Sequence, residues 1–291
     1  MELKNKLFLV TGANGDLGFG LASELLRNKA RICISCRTQI VADKTKNLLL
    51  AQYPGSEIDT IVLPMHDLSA CQQALKIFTD KKPVLDGIIN NAGIHIGKYD
   101  KRIEKGHFLT SQNFEINFQV NYLAPVLITE TCMPYLAQDA RVVHVFSKDY
   151  LSISKFDITD IRQNKLSASG HDEYARSKLA LALYQQWSLH RYPNLKSFIA
   201  SPGVTKTKLW DNVPKIILWF KKFHSVADGV VPIMQCLKLQ EAEVGCFIGY
   251  SDSAGWQSEA LSSLATNAEM QQNLWQQTQR WFEELDLINL K

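Results

Sequence analysis

Leu7-Phe8-Leu9-Val10-Thr11-Gly12-Ala13-Asn14-Gly15-Asp16-Leu17-Gly18 runs from an unbroken apolar stretch into a turn carrying three glycines. An apolar run of this length, without alternation, suits a strand buried on both faces of a parallel sheet. Glycines between a strand and a helix let the backbone approach a pyrophosphate, which then rests at the positive end of the helix. Gly12, Asn14, Gly15, Asp16, Leu17 and Gly18 are therefore the candidate contacts of a dinucleotide. The plainer alternative is that the glycines serve turn geometry alone. A carboxylate beside a pyrophosphate would be repelled, so Asp16 is expected to cap the following helix, with Gly15 absorbing any unusual backbone angle. That helix reads through Asn28.

Working outward, short apolar runs at 31–35, 60–63, 85–89, 142–146, 197–200 and 246–248 alternate with longer helical patterns. The expectation is an α/β chain: one Rossmann-type, doubly wound parallel sheet with helices on both faces, forming a single domain over 1–291. Two stretches, 149–170 and 201–225, interrupt the alternation as loop-like insertions. With 32 basic and 29 acidic residues, interspersed and leaving a net charge of +3, no footprint for nucleic acid appears. No apolar run approaches the roughly 18 residues of a membrane span, and the first strand starts at Leu7, so no anchor or leader is expected and the chain reads as cytoplasmic. Six scattered cysteines suit reduced thiols, Cys33 and Cys36 pointing to opposite faces of one strand; with no ligand spacing among the seven histidines, no metal site is expected.

Three further segments end near the same crevice. After the second strand stands Cys36-Arg37, where an acidic residue would grip the adenine ribose; a permanently charged guanidinium suits a 2′-phosphate instead. After the third come Asp67 and Leu68, with Asp67 facing the adenine and Ser69 placed to cap the next helix. After the fourth comes Asn90-Asn91-Ala92-Gly93, whose small residues fit a ligand lying close to the backbone, although as an isolated tetrapeptide it could be a turn.

In Tyr174-Ala175-Arg176-Ser177-Lys178, a phenol and an ammonium stand one turn apart within a helical segment over 173–190. A nearby cation favours the phenolate, so Lys178 is expected to lower the Tyr174 pKa toward a value useful to a general acid/base. The spacing alone does not decide: Tyr192 and Lys196 repeat it across Pro193, and both pairs could lie on solvated surfaces.

In their order along the chain, the glycine turn at Thr11, Asn90-Asn91-Ala92-Gly93, Tyr174-x-x-x-Lys178 and Pro202-Gly203 resemble the short-chain dehydrogenase/reductase family. The resemblance implies that Tyr174 exchanges a proton with the substrate oxygen, while Lys178 lowers its pKa and holds the nicotinamide ribose. It further implies that Ser147 hydrogen-bonds the substrate oxygen and that Asn121 supports a proton-relay water. Ser201-Pro202-Gly203-Val204-Thr205-Lys206-Thr207 resembles the segment that meets the nicotinamide end, which adds Val204 and Thr207 to a cofactor set of Asn91, Ala92, Gly93, Tyr174 and Lys178. Arg37 looks like the NADP-selecting position of the retinol dehydrogenase-like branch, whose substrates are hydrophobic. Two departures stand out: the T-G-x-x-G-x-x-G spacing of the turn, with Asp16 where a glycine is usual, and Phe146, expected to narrow the site beside Ser147.

The expectation is an NADP(H)-dependent oxidoreductase moving a hydride to or from a small hydrophobic carbonyl or alcohol. A catalytically silent dinucleotide-binding regulator or scaffold is the alternative. Over Leu209 to Phe223, Trp210, Ile216, Ile217, Leu218, Trp219, Phe220 and Phe223, gathered with Lys208, Lys215, Lys221 and Lys222, suggest an apolar lid within the 201–225 insertion, open to contact with an anionic membrane surface. Packing of those aromatics into the core is the plainer reading. A homodimer is compatible with the sequence.

Overall fold

The structure, a computed structural model, describes residues 2–104, 106–207, 223–239, 247–251 and 255–288. Its centre is an eight-stranded sheet: β1 (Leu7–Thr11), β2 (Arg31–Cys36), β3 (Ile58–Val62), β4 (Leu85–Asn90), β5 (Leu136–Val145), β6 (Lys196–Ala200), β7 (Phe247–Ser251) and β8 (Gly255–Glu259). In space they follow the order β3-β2-β1-β4-β5-β6-β7-β8. Every pairing from β3 to β7 is parallel, whereas β8 returns antiparallel to β7, an edge strand that the apolar-run pattern did not reveal because it is half-exposed and polar. The doubly wound expectation is thus met, with β1 and β4 adjacent where the winding reverses.

Alternation along the central strands feeds two apolar layers. Phe8, Val10, Ile32, Ile34, Val143 and Val145 face the layer closed by α1 (Asp16–Arg27) and α2 (Gln39–Gln52). Leu9, Cys33, Ile88 and Val142 face the other layer, closed by α3 (Leu68–Asp80), α4 (Ala124–Cys132) and α5 (His171–Arg191). Helix α6 (Val226–Cys236) joins the first layer and α7 (Ala268–Glu284) the second. On α7, Trp275 stacks on Trp187 of α5 with ring centroids 3.7 Å apart, and Thr278 shares a 2.7 Å hydrogen bond with the Tyr122 hydroxyl. Among the described residues, no helix is long and apolar enough to cross a membrane.

Candidate active site

The reversal of winding between β1 and β4 opens the crevice, and side chains lock its two lips together. Asn91 donates through Nδ2 to the carbonyls of Thr11 (2.8 Å) and Gly12 (3.3 Å), while the Ala92 N–H donates to Thr11 Oγ1 (2.9 Å). Gly12 adopts φ of +66°, and a Cβ there would come within 2.9 Å of the Ala92 Cα, so the unusual angle of the turn lies at Gly12. Gly15 has an ordinary extended conformation (φ −79°), which corrects the expectation placed on it. It is also the N-cap of α1, no side chain caps that helix end, and Asp16 is the first helical residue, not the cap. Leu17 and Gly18 complete this first turn, whose backbone amides form a natural anion cradle.

Along the adenine side, Cys36 is buried at the end of β2 and Arg37 beyond it is exposed; no ion pair engages Arg37 among the described residues. Asp67, not Ser69, caps α3, its Oδ1 accepting from the Ala70 N–H (3.0 Å) and from Gln112 Nε2 (3.2 Å). Ser69 falls inside the helix, because the short carboxylate at position 67 already supplies the capping oxygen. Leu68 is fully buried, and its N–H donates to Gln112 Oε1 at 3.4 Å.

Helix α5 starts one turn before Tyr174, whose N–H donates to the Gly170 carbonyl at 3.0 Å. Tyr174 and Lys178 share a face as the spacing implied, both buried, the ammonium 5.5 Å from the phenol ring centroid. Lys178 Nζ donates to the Val145 carbonyl at the end of β5 (3.0 Å), and a Cβ on Gly93 would stand 3.7 Å from it. Ser147 caps the short 3₁₀ turn Lys148–Ser152, its Oγ accepting from the Asp149 N–H at 3.3 Å. Asn121 lies in a π turn, Gln119–Leu123, an insertion frequent at functional sites. Its Nδ2 donates to Ser177 Oγ (3.0 Å) and to the Ile94 carbonyl (2.8 Å). Asn121, Ser147, Tyr174 and Lys178 therefore lie together beyond the carboxyl ends of β4 and β5.

Burial dominates the electrostatics. It pushes the Tyr174 phenol above its ordinary value; the Asp149 carboxylate adds to that, and the Ser147 hydroxyl works against it by hydrogen-bonding the tyrosine. The sequence-based expectation of a phenol lowered by Lys178 is not met in the protein alone. The lysine is itself desolvated, its pKa brought down to about 8 by burial with Asp149 opposing. The Phe146 ring packs in the core against Tyr150 (4.9 Å) and Phe247 (5.6 Å).

Val204 and Thr207 follow β6 on a loop in which Val204 accepts from the His224 N–H (2.9 Å) and Lys206 donates to the His224 carbonyl (3.0 Å). Of the lid expected over 209–223, all but Phe223 lies outside the described residues. Two site residues escaped the sequence reading. Asp149 acts electrostatically on Tyr174, Lys178 and His95, and His95 stacks on the Tyr174 ring. The place of Asp149, two residues past Ser147, was a usable signal; the stacking of His95 was not, since it depends on a loop packing that sequence spacing does not express.

Residues 6–152 match the short chain dehydrogenase family. Retinol dehydrogenase 12 of Mus musculus is 26% identical over 284 residues, covering 94% of this chain and 85% of that protein. Retinol dehydrogenase 14 of Mus musculus is 32% identical over 225 residues, covering 71% of this chain and 63% of that protein, so the chain spans less than two thirds of this second relative. Among solved structures, an uncharacterized protein from Mycobacterium paratuberculosis has a TM-score of 0.74 at 22% identity, covering 97% of this chain and 95% of that one. A short chain dehydrogenase from Burkholderia cenocepacia J2315 in complex with NADP has a TM-score of 0.64 at 21% identity, covering 81% and 92%. These structural likenesses concern the fold.

Proposed function

The chain belongs to the short-chain dehydrogenase/reductase family, in its retinol dehydrogenase-like branch, and from that we propose that this oxidoreductase transfers a hydride between NADP(H) and a small hydrophobic carbonyl or alcohol. The grouping of Ser147, Tyr174 and Lys178, linked through Gly93 and Ala92 to Gly12 ahead of the uncapped start of α1, carries the proposal. That helix end, with Gly12 turned out of the way and Asn91 bracing the turn, fits a dinucleotide pyrophosphate. Arg37 would hold a 2′-phosphate, while Asp67 and Leu68 flank the adenine and Ala92 and Gly93 leave room for the ribose. Val204 and Thr207 would line the nicotinamide end. When bound, the nicotinamide supplies or accepts the hydride.

The protein's own part is to place the substrate oxygen and move its proton. Ser147 donates to that oxygen, polarising it, and Tyr174 exchanges the proton. A phenol held above its ordinary value remains protonated at neutral pH, which suits the acid role in carbonyl reduction. Lys178 offers its charge to the developing phenolate and its N–H groups to a ribose. Asn121 holds the Ile94 backbone and Ser177 in place, which fixes the floor on which this exchange occurs. A catalytically silent cofactor binder draws support from Asp16 alone, a carboxylate in the first turn of the cradle.

The test is NADPH consumption by the purified protein with retinal and medium-chain aldehydes, beside Tyr174→Phe. Turnover should fall about 100- to 10,000-fold in the variant, with NADPH binding retained. NADPH binding without turnover across the panel would instead select the silent binder.

A further inference from the structure

Beyond Gly93 the chain passes through Ile94-His95-Ile96 in a bracket of side chains. Asn121 accepts from the Ile94 N–H (2.8 Å) and donates to the Ile94 carbonyl (2.8 Å). Asn117 repeats this on Ile96, accepting from its N–H (2.7 Å) and donating to its carbonyl (2.9 Å). Two amide side chains thus do what a neighbouring strand would do, satisfying both neighbours of His95. Arg102, held by Asp100, donates to the carbonyl of His95 itself at 2.7 Å. On the next residue, a Cβ at Gly97 would fall 2.6 Å from the Ser169 carbonyl carbon, so this segment lies directly on the backbone that starts α5. Tyr174 is in the first turn of that helix.

The outcome is that the His95 ring lies parallel to the Tyr174 ring, centroids 4.8 Å apart and planes 17° apart. We propose that His95 is a positioning residue for Tyr174: a plate, fixed by Asn117, Asn121 and Arg102, that sets the plane of the phenol and so the direction of its hydroxyl. The proposal rests on Tyr174 being the proton-exchanging group. A tyrosine near a helix start has χ1 and χ2 to lose, and proton transfer demands one orientation of the hydroxyl, so pre-set orientation appears in the rate. Burial lowers the His95 pKa, with Asp149 and the Ser169 backbone opposing and His171 and Arg102 assisting, so the plate is neutral at neutral pH. A neutral ring orients the phenol without the pull toward phenolate that a cation would exert. Among the described residues its Nε2 is buried with no hydrogen-bond partner, while the ring also hydrogen-bonds the Ser169 backbone, so it meets Tyr174 through its face.

The variants His95→Ala and His95→Phe separate the plate from the imidazole. With retinal as substrate, His95→Ala should lose about two- to tenfold in kcat, in the range of a stacked aromatic pair, with NADPH Kd unchanged. His95→Phe should recover most of that loss. An unchanged kcat in His95→Ala, a loss confined to KM, or a Phe variant as slow as the Ala variant overturns the proposal. A second measurement needs no turnover: the NMR shifts of the His95 imidazole protons in wild type and in Tyr174→Leu. Stacking at 4.8 Å places those protons in the ring current of the phenol, so their signals should move when the phenol is removed; unmoved signals overturn the stack. Absence of wild-type turnover would count against the proposed activity, and the ring-current shift would still decide the contact.

Discussion

The side-chain amide of Asn91 donates to the carbonyl of Thr11 at 2.8 Å, joining the two strand ends between which the winding of the sheet reverses. Because the same amide also reaches the Gly12 carbonyl, it holds the turn proposed to receive the pyrophosphate. Asn91→Ala removes both bonds, each worth about 0.5–1.5 kcal/mol. NADPH should bind about tenfold more weakly by calorimetry, and the thermal midpoint should fall. Full affinity in the variant would show that the cradle needs no brace.

The buried Lys178 makes stability depend on alkaline pH in a definite direction. Its folded pKa of about 8 lies below the ordinary 10.5, so between these values the unfolded chain binds the extra proton. Stability contributed by this group therefore rises as pH increases from about 8 toward 10. Tyr174, held above its ordinary value, works the other way once unfolded tyrosines ionise near pH 10. Between pH 7.5 and 9.5 the buried thiols of Cys33, Cys71 and Cys132, raised to about 12 by burial, pull stability down in wild type and variant alike. Urea unfolding should therefore show the Lys178 contribution as the difference: Lys178→Met should have a slope of stability against pH that is less positive, or more negative, than wild type. Equal slopes would mean that Lys178 stays charged in the folded protein.

Much of this was legible because parallel sheets write themselves as continuous apolar runs. The strands read at 31–35 and 85–89, found one residue longer at Arg31–Cys36 and Leu85–Asn90, and the shared face of Tyr174 and Lys178, follow from period and spacing alone. What failed depended on competition between near neighbours. Asp67 and Ser69 are both good caps, and only the backbone path decides that the carboxylate meets the Ala70 N–H. Asp16 was read as a cap because a carboxylate near phosphate is costly, yet Gly15 ends the turn and leaves Asp16 inside the helix. Spacing also predicted a phenol lowered by its lysine; burial of both groups, a tertiary property, reverses that direction.

Helix α7 gives a prediction away from the site. Trp275 is buried and stacks on Trp187, so Trp275→Ala removes a large apolar area and leaves a cavity between α5 and α7. The expected cost is about 3–5 kcal/mol, read as a lower urea midpoint at unchanged slope. Because Tyr174 and Lys178 sit at the opposite end of α5, NADPH affinity at low temperature should be spared. A loss of affinity equal to the loss of stability would show that α7 holds the site as well as the fold.

Cofactor choice comes down to the end of β2. Cys36 is buried and neutral there, so no carboxylate grips the free ribose hydroxyls or repels a 2′-phosphate. Arg37 follows it, exposed and without an ion pair among the described residues, a planar fork whose geometry matches a phosphate. A charge-assisted hydrogen bond contributes about 1.5–3 kcal/mol at best, and exposure to solvent and salt reduces this, so NADPH should bind about tenfold more tightly than NADH. Asp16 pulls against that margin from the first turn of α1. Arg37→Ala should erode NADPH binding and spare NADH, while Cys36→Asp should weaken NADPH further and help NADH. Raising the salt concentration should narrow the wild-type preference, because the discriminating charge is in contact with solvent. Dissociation constants for both cofactors, with the three proteins at two ionic strengths, decide the matter: NADH bound as tightly as NADPH by the wild type would refute the selection by Arg37.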